Sequence, residues 1–394
     1  MIYSQLTLKP GKEQSLQRFH PWIFSGAIKH IDGQPQEGDV VEVVDYKGNF
    51  LALGHFQPSS ISVRVISFAN RELNVDFWKE RLLKALDLRK KLGLFPSTTT
   101  NIFRLIHGEG DGLPGLIIDI YGNTAVMQSH SLGFYRLRQT FANLIVEIMG
   151  GTITSVYDKS SGTLPFKAPI EAVDEYLIGK AEEMELVENS NRFYVNWEEG
   201  QKTGFFIDQR ENRMLLQQYS KNANVLNAFG YTGGFSVYAS RGGAKKVLSV
   251  DSSQKAIDLT VRNMEVNFGN QKQHEAICAD VFDFLKENNE NFDVIVLDPP
   301  AFAKHRPALK NALQAYKRLN AAAFRKLNSG GILFTFSCSQ VVTREEFRNA
   351  VFSGAIIAQR DVKILHQLTQ PADHPINIYH PEGEYLKGLV LCAI

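Results

Sequence analysis

The chain has 394 residues, 22% charged and 44% hydrophobic, and its 43 Lys and Arg against 42 Asp and Glu leave a net charge of +1. At about 100–200 residues per domain, this length predicts two to four domains with real cores. The apolar content and balanced charge exclude a disordered chain, and near neutrality confines any nucleic-acid surface to a local patch. No run approaches the ~20 apolar residues of a membrane span, and the opening MIYSQLTLKPGKEQ has no apolar signal core. The expectation is a cytoplasmic protein with no membrane partner. Cys278, Cys338 and Cys392 are too few and too scattered for a disulfide framework or a metal site, so no metal is expected.

Residues 1–72 read as short strands and turns forming a small β-barrel-like unit. Asp39–Val44 is a strand, Asp45–Asn49 a turn, Phe50–His55 a strand, and Ser62–Ser67 alternates with period two. Residues 76–92 are helical, with Phe77, Leu82, Leu83, Leu86 and Leu88 recurring among basic residues. A Gly- and Pro-rich turn at Gly110–Gly115 leads into a strand, a helix is expected near 134–149 and another strand near 152–157. These elements predict a small α+β domain over 73–190.

From about residue 191 to 394 short apolar strands alternate with helices. The strands are Asn224–Phe229, Lys246–Asp251, Glu275–Asp280, Asp293–Asp298 and Gly331–Phe336. The helices between them are Phe235–Arg241, Gln254–Asn267, Val281–Asn288 and 309–328. This order predicts an α/β fold: a parallel sheet with helices on both faces. Ligands bind such sheets at the carboxyl ends of the strands, so the strand ends carry the chemistry.

The first strand ends in Asn227-Ala228-Phe229-Gly230-Tyr231-Thr232-Gly233-Gly234. Its glycines allow a close backbone approach but do not match the dinucleotide fingerprint G-x-G-x-x-G. The second strand ends in Asp251-Ser252, where a carboxylate can accept from both ribose hydroxyls. The third ends in Asp280-Val281; here the Asp is a helix N-cap or a ligand for an adenine amino group. The fourth ends in Asp298-Pro299-Pro300, whose prolines stiffen the backbone and remove two N–H donors. Taken together, the Gly-rich loop, Asp, Asp and Asp-Pro-Pro describe a site for S-adenosylmethionine (SAM), which has a ribose and an adenine but no phosphate. The fifth strand ends in Ser337-Cys338-Ser339, and a Cys there is either a nucleophile or core filler. Cys278, inside a strand, and Cys392, in the apolar run Gly388–Cys392, read as core.

With these residues stands a wider set of marks: His20-Pro21-Trp22-Ile23-Phe24, Gly108–Leu116, Gln201–Arg213, Tyr231–Phe235, Asp298-Pro299-Pro300 with Phe302, Ser337-Cys338-Ser339, Asp373-His374-Pro375 and Tyr385–Gly388. The chain resembles the PUA-domain class I SAM-dependent 23S rRNA (cytosine-5) methyltransferases over essentially its full length. It departs from that family at Gln340, where Gly is usual. The resemblance implies a PUA-like RNA-binding domain at 1–72, a central α+β domain at 73–190 and a Rossmann-like methyltransferase domain at 191–394. It implies large-subunit rRNA as substrate and a homodimer. It assigns Cys338 as nucleophile, with Asp298 acting on the base edge. It places Gln201, Lys202, Thr203, Gly204, Phe205, Gln209 and Arg210 around the cofactor and target base, with Asn227, Phe229, Gly230, Asp251, Ser252, Asp280, Val281, Asp298 and Pro299 as the remaining cofactor set.

The barrel is near neutral, with seven basic and seven acidic residues over 1–72. The denser basic runs are Arg81–Lys91, read as a solvated helix face, and Lys304–Lys326. Lys304, His305 and Arg306 follow the Asp-Pro-Pro loop directly and are expected to meet RNA phosphates. Phe302 or Phe205 offers a ring for a base taken out of its helix. Two rival functions remain at this stage. In methyltransferases acting on a base nitrogen, the aromatic residue follows Asp-Pro-Pro or Asn-Pro-Pro at once, whereas here Ala301 intervenes. A non-catalytic assembly factor would have no use for the carboxylates and the strand-end Cys.

Overall fold

The computed structural model describes residues 3–165, 170–270 and 272–394. The chain divides into two compact units, the first made of 1–187, 195–207 and 372–383, the second of 188–194, 208–371 and 384–394.

In the first unit, β1 (Ser4–Leu8), β2 (Trp22–Phe24), β3 (Ile28–Asp32), β4 (Val40–Val44), β5 (Phe50–Phe56) and β6 (Ile61–Ser67) form one sheet in the order β2-β6-β5-β4-β1-β3. The β1–β4 pair is parallel and the others antiparallel. The period-two pattern is realised: Leu6, Leu8, Val41, Val43, Val63 and Val65 bury one face, as alternation on a pleated strand requires. The short helix α1 (Gln14–Gln17) lies between β1 and β2.

The rest of the first unit begins with α2 (Val75–Lys91). The Asn74 side chain caps this helix by accepting from the Phe77 N–H. Strands β7 (Ile102–His107), β8 (Leu116–Tyr121), β9 (Thr124–Ser129), β10 (Ser155–Asp158) and β11 (Glu175–Ile178) form a sheet in the order β11-β10-β9-β8-β7. The helix expected near 134–149 is two helices, α3 (Leu132–Arg136) and α4 (Arg138–Ile148), broken at Leu137. Phe77, Leu82 and Leu86 of α2 and Phe141 and Ile145 of α4 join Phe103, Ile118 and Met127 of the sheet in one core. β12 (Leu186–Glu188) follows and pairs with β13 (Asn191–Phe193), whose residues belong to the second unit.

The second unit contains α5 (Arg210–Tyr219), β14 (Asn224–Ala228), α6 (Gly234–Arg241), β15 (Lys246–Asp251), α7 (Gln254–Phe268), β16 (His274–Cys278), α8 (Val281–Glu287), β17 (Phe292–Leu297), α9 (Leu309–Lys326), β18 (Leu327–Ser337), α10 (Arg344–Ala358), β19 (Val362–Leu368) and β20 (Lys387–Ala393). The sheet order is β16-β15-β14-β17-β18-β20-β19. Neighbours on a strand face opposite layers: Val225, Val294 and Val296 pack on the α5 and α6 side, and Leu226, Ile295 and Leu297 on the α8, α9 and α10 side. One expectation is corrected here. The sheet is parallel only through β18, because β20 inserts antiparallel between β18 and β19. The apolar run Gly388–Cys392 is thus an inner strand, and Cys392 is only partly buried on it. Cys278 is corrected as well: it closes the edge strand β16 and is exposed, and among the described residues no further strand covers that edge.

Candidate active site

In the second unit β14 ends in a tight loop. Phe229 and Tyr231 both hold positive φ, 61° and 41°, either side of Gly230. Bulky residues adopt this conformation only where the surroundings enforce it, and such strain collects at functional sites. The enforcing contacts are visible. Gly230 N–H donates to Val250 O at 3.0 Å. Asp251 accepts from Tyr231 N–H and from Ser253 N–H, each at 2.9 Å. Thr260 Oγ1 donates to Tyr231 O at 2.7 Å, and Asn263 Nδ2 to Thr232 O at 2.9 Å. Gly233 has φ +79°, and a Cβ there would lie 2.8 Å from Thr260 Cγ2, so the helix after the loop starts where only glycine fits.

Asn227, at the end of β14, is buried. Its Nδ2 donates to Ser236 Oγ at 2.8 Å, while its Oδ1 has no hydrogen-bond partner among the described residues. A buried acceptor left unfilled is costly unless a ligand donor meets it. Asp251, at the end of β15, engages both oxygens with backbone N–H groups, yet each oxygen retains a second lone pair. Ser252 beside it is exposed. Asp280 is the N-cap of α8, accepting from Phe282 N–H at 2.8 Å and Asp283 N–H at 3.2 Å through one oxygen, and its side chain is exposed. The cap reading is therefore realised, with the other oxygen outside the cap. Val281 sends its side chain into the core, so only its backbone is available to a ligand. Gln209 and Arg210 are buried at the start of α5, and Gln209 Oε1 accepts from Asn212 Nδ2 at 2.6 Å.

Asp298 and the buried Pro299 follow β17, and Cys338 follows β18. Cys338 Sγ lies 3.9 Å from Pro299 O, so the Asp-Pro-Pro loop and the thiol meet at one strand end. Behind them Tyr316 of α9 bonds Ser337 Oγ at 2.9 Å and Ser339 Oγ at 3.2 Å. Burial, aided by the neighbouring Cys338, holds its phenol above the ordinary range. Phe302 packs on Tyr316 and Phe282, with ring centroids 4.7 and 6.4 Å apart.

The stretch 201–205 belongs to the first unit. Gln201 and Lys202 are exposed, and the Lys202 ammonium lies 4.8 Å from the Phe206 ring centroid. Thr203 is buried: its Oγ1 donates to Asp119 Oδ2 at 2.6 Å and lies 3.0 Å from Tyr121 OH. Arg104 grips the same Asp119 with two bonds of 2.8 Å. The Thr203 side chain is thus committed to this buried network, which leaves its backbone for a ligand. Gly204 has φ +113°, with Asn196 O 2.9 Å from where a Cβ would stand. Phe205 is 4% exposed, which corrects its reading as a free stacking ring.

Two buried contacts of these residues escaped the sequence reading. The Asp119 network pairs residues more than eighty positions apart, and no local pattern announces it. Lys387 reaches Ser339 across β18 and β20, and its only sequence mark is its place in the Tyr385–Gly388 motif.

The comparisons agree with this geometry. The family described as S-adenosylmethionine-dependent methyltransferase matches residues 162–350, and the PUA-like domain family matches residues 6–68. A solved structure from Streptococcus mutans is 24% identical over 100% of both chains with a TM-score of 0.84, and a second, complexed with SAH, is 24% identical over 100% of both with a TM-score of 0.85, which shows the fold. The matched families give the class: the chain is a SAM-dependent methyltransferase with an N-terminal PUA-like domain, and its cofactor is SAM. The particular family follows from a relative named Ribosomal RNA large subunit methyltransferase I, from Alteromonas mediterranea, 40% identical over 98% of each chain. The chain belongs to that family. Among the described residues, no helix is long and apolar enough to cross a membrane and no group of His, Cys, Asp and Glu is placed to hold a metal.

Proposed function

We propose that the protein methylates carbon 5 of a cytosine in large-subunit rRNA, in the cytoplasm, through a covalent adduct of Cys338. The observation that carries this reading is the meeting of Cys338 with the Asp298-Pro299 loop at one strand end. The rRNA substrate is taken from the name of the relative. SAM supplies an electrophilic methyl group. Asp251 would accept from the ribose hydroxyls, Asp280 through its uncapped oxygen from the adenine amino group, and Asn227 Oδ1 from the ammonium end. Phe229, Gly230, Ser252, Val281, Pro299, Gln209 and Arg210 would line the cofactor.

Carbon 5 of cytosine is a poor nucleophile. The Cys338 thiolate adds to carbon 6, the ring becomes an enamine, and its carbon 5 takes the methyl group. Asp298, as the acid, hydrogen-bonds the base edge and gives the ring a proton as sulfur adds. A base then removes the carbon 5 proton, the thiolate is expelled, and the ring proton returns to Asp298. A base nitrogen would need no cysteine here, and Ala301 separates Pro300 from the aromatic Phe302.

We keep three functional domains, 1–72, 73–190 and 191–394, and a homodimer, both on the family resemblance. Light scattering should then return twice the 44.3 kDa chain mass. The reaction is tested by incubating rRNA with the protein and SAM and analysing nucleosides by mass spectrometry. We expect 5-methylcytidine. An N-methylated base would move the reaction to nitrogen, and saturable SAM binding with no methylated nucleoside would favour an assembly factor.

A further inference from the structure

A second ionisable group stands at the Cys338 strand end. β18 and β20 pair antiparallel with Ser337 opposite Lys387. Lys387 is 3% exposed, and its Nζ donates to the carbonyl oxygen of Ser339, the residue after Cys338, at 2.6 Å. An ammonium has three donors, and here one is used. Among the described residues, no carboxylate forms an ion pair with it. A buried cation without a counter-charge is costly, so such a lysine needs either a partner anion or a role as a neutral amine.

The charged groups acting on it are Cys338 at the end of β18, Glu384 and Arg344 flanking the strand end, and Glu346 in the first turn of α10. Glu384 already pairs with Arg344. Glu346 is committed to the Thr343 capping box. Tyr316, from α9, stays protonated and serves the serines of the same strand end. Cys338 is thus the remaining group at this strand end that can carry a negative charge beside Lys387. Burial pushes the Lys387 ammonium down to about 8.

We propose that Lys387 is the proton partner of Cys338, forming with it an ammonium–thiolate pair that keeps the nucleophile in its reactive form. One proton moves: the S–H bond breaks, its electron pair stays on sulfur, and the proton joins the Nζ lone pair. Lys387 acts through Cys338 and is a positioning residue. The inference rests on the reading of Cys338 as nucleophile but is measurable without RNA or SAM.

The test uses the full chain with Cys278→Ser and Cys392→Ser, which leaves Cys338 as the sole thiol. Its alkylation by iodoacetamide is followed between about pH 5.5 and 9.5. With Lys387 present, the thiolate should form at least one pH unit below the ordinary thiol value of about 8.5. Lys387→Met should raise that midpoint by about one unit or more and slow alkylation near neutrality by about tenfold. Lys387→Arg should restore most of the rate. If Lys387 only braces the Ser339 carbonyl, Lys387→Met will change the melting temperature and leave the alkylation profile unmoved, which overturns the proposal. Should the Met variant not fold, the thiolate ultraviolet absorbance of the Lys387 protein decides against a Cys338→Ser blank. Thiolate at neutral pH supports the pair, and its appearance only above about pH 8.5 refutes it. A low midpoint with no covalent RNA adduct would refute the nucleophile reading and uphold the pair.

Discussion

Asp251 holds the strained loop through Tyr231 and Ser253, and each of its oxygens keeps a second lone pair, which under the proposed function accepts from the ribose hydroxyls. Charge-assisted hydrogen bonds are worth about 1.5–3 kcal/mol, so Asp251→Ala should weaken SAM binding by roughly 10- to 150-fold by calorimetry. Unchanged affinity would remove Asp251 from the cofactor site. Its position was legible because an apolar strand stops on a carboxylate about twenty residues after a glycine loop. Asp280 was legible only as two alternatives, since an Asp before a helix serves a cap as readily as a ligand. Lys387 was not legible as a partner of Cys338. Its neighbour across the sheet lies 50 positions earlier, at Ser337, and depends on an antiparallel strand that the βαβ pattern does not foretell.

At the scale of elements, the strands and helices leading to the site follow from short apolar runs and their punctuation, and their ends fall within a few residues of expectation. What periodicity missed was pairing: the insertion of β20, the edge position of β16, and the break between α3 and α4. His55 on β5 illustrates an element interior with a titratable cost. Its ring packs edge-on against Phe134, and a Cβ on Gly133 would lie 2.3 Å from its Nδ1, which has no hydrogen-bond partner among the described residues. Burial holds its pKa down to about 4. Between pH 6.5 and 4 the unfolded chain therefore binds the proton that the folded one refuses. Its contribution is intact above pH 6.5 and is lost as pH falls through that window, by roughly 3 kcal/mol in all. Urea unfolding of His55→Leu should show a shallower loss of stability between pH 7 and 4 than wild type; equal slopes would contradict this assignment. On the loop after Asp-Pro-Pro, Lys304 and Arg306 are exposed. Neutralising both should flatten the salt dependence of RNA binding by about one unit of slope per phosphate contact and leave SAM binding unchanged. A wild-type slope would return them to the solvated surface.

Across the whole molecule, class and cofactor were legible because they depend on the order of strand ends, which a linear sequence preserves. The buried network joining Thr203, Asp119 and Arg104 was not, because it is assembled by folding alone. In the proposed mechanism Cys338 bonds the target base. Fluorine in place of the carbon 5 hydrogen blocks the proton loss that resolves the adduct. RNA carrying 5-fluorocytidine should therefore trap a complex that survives denaturing electrophoresis and forms only with SAM present. Cys338→Ala should abolish both adduct and turnover, while Cys278→Ala, at the exposed edge, should keep both. Cytosine methylation at a normal rate by Cys338→Ala would contradict the account.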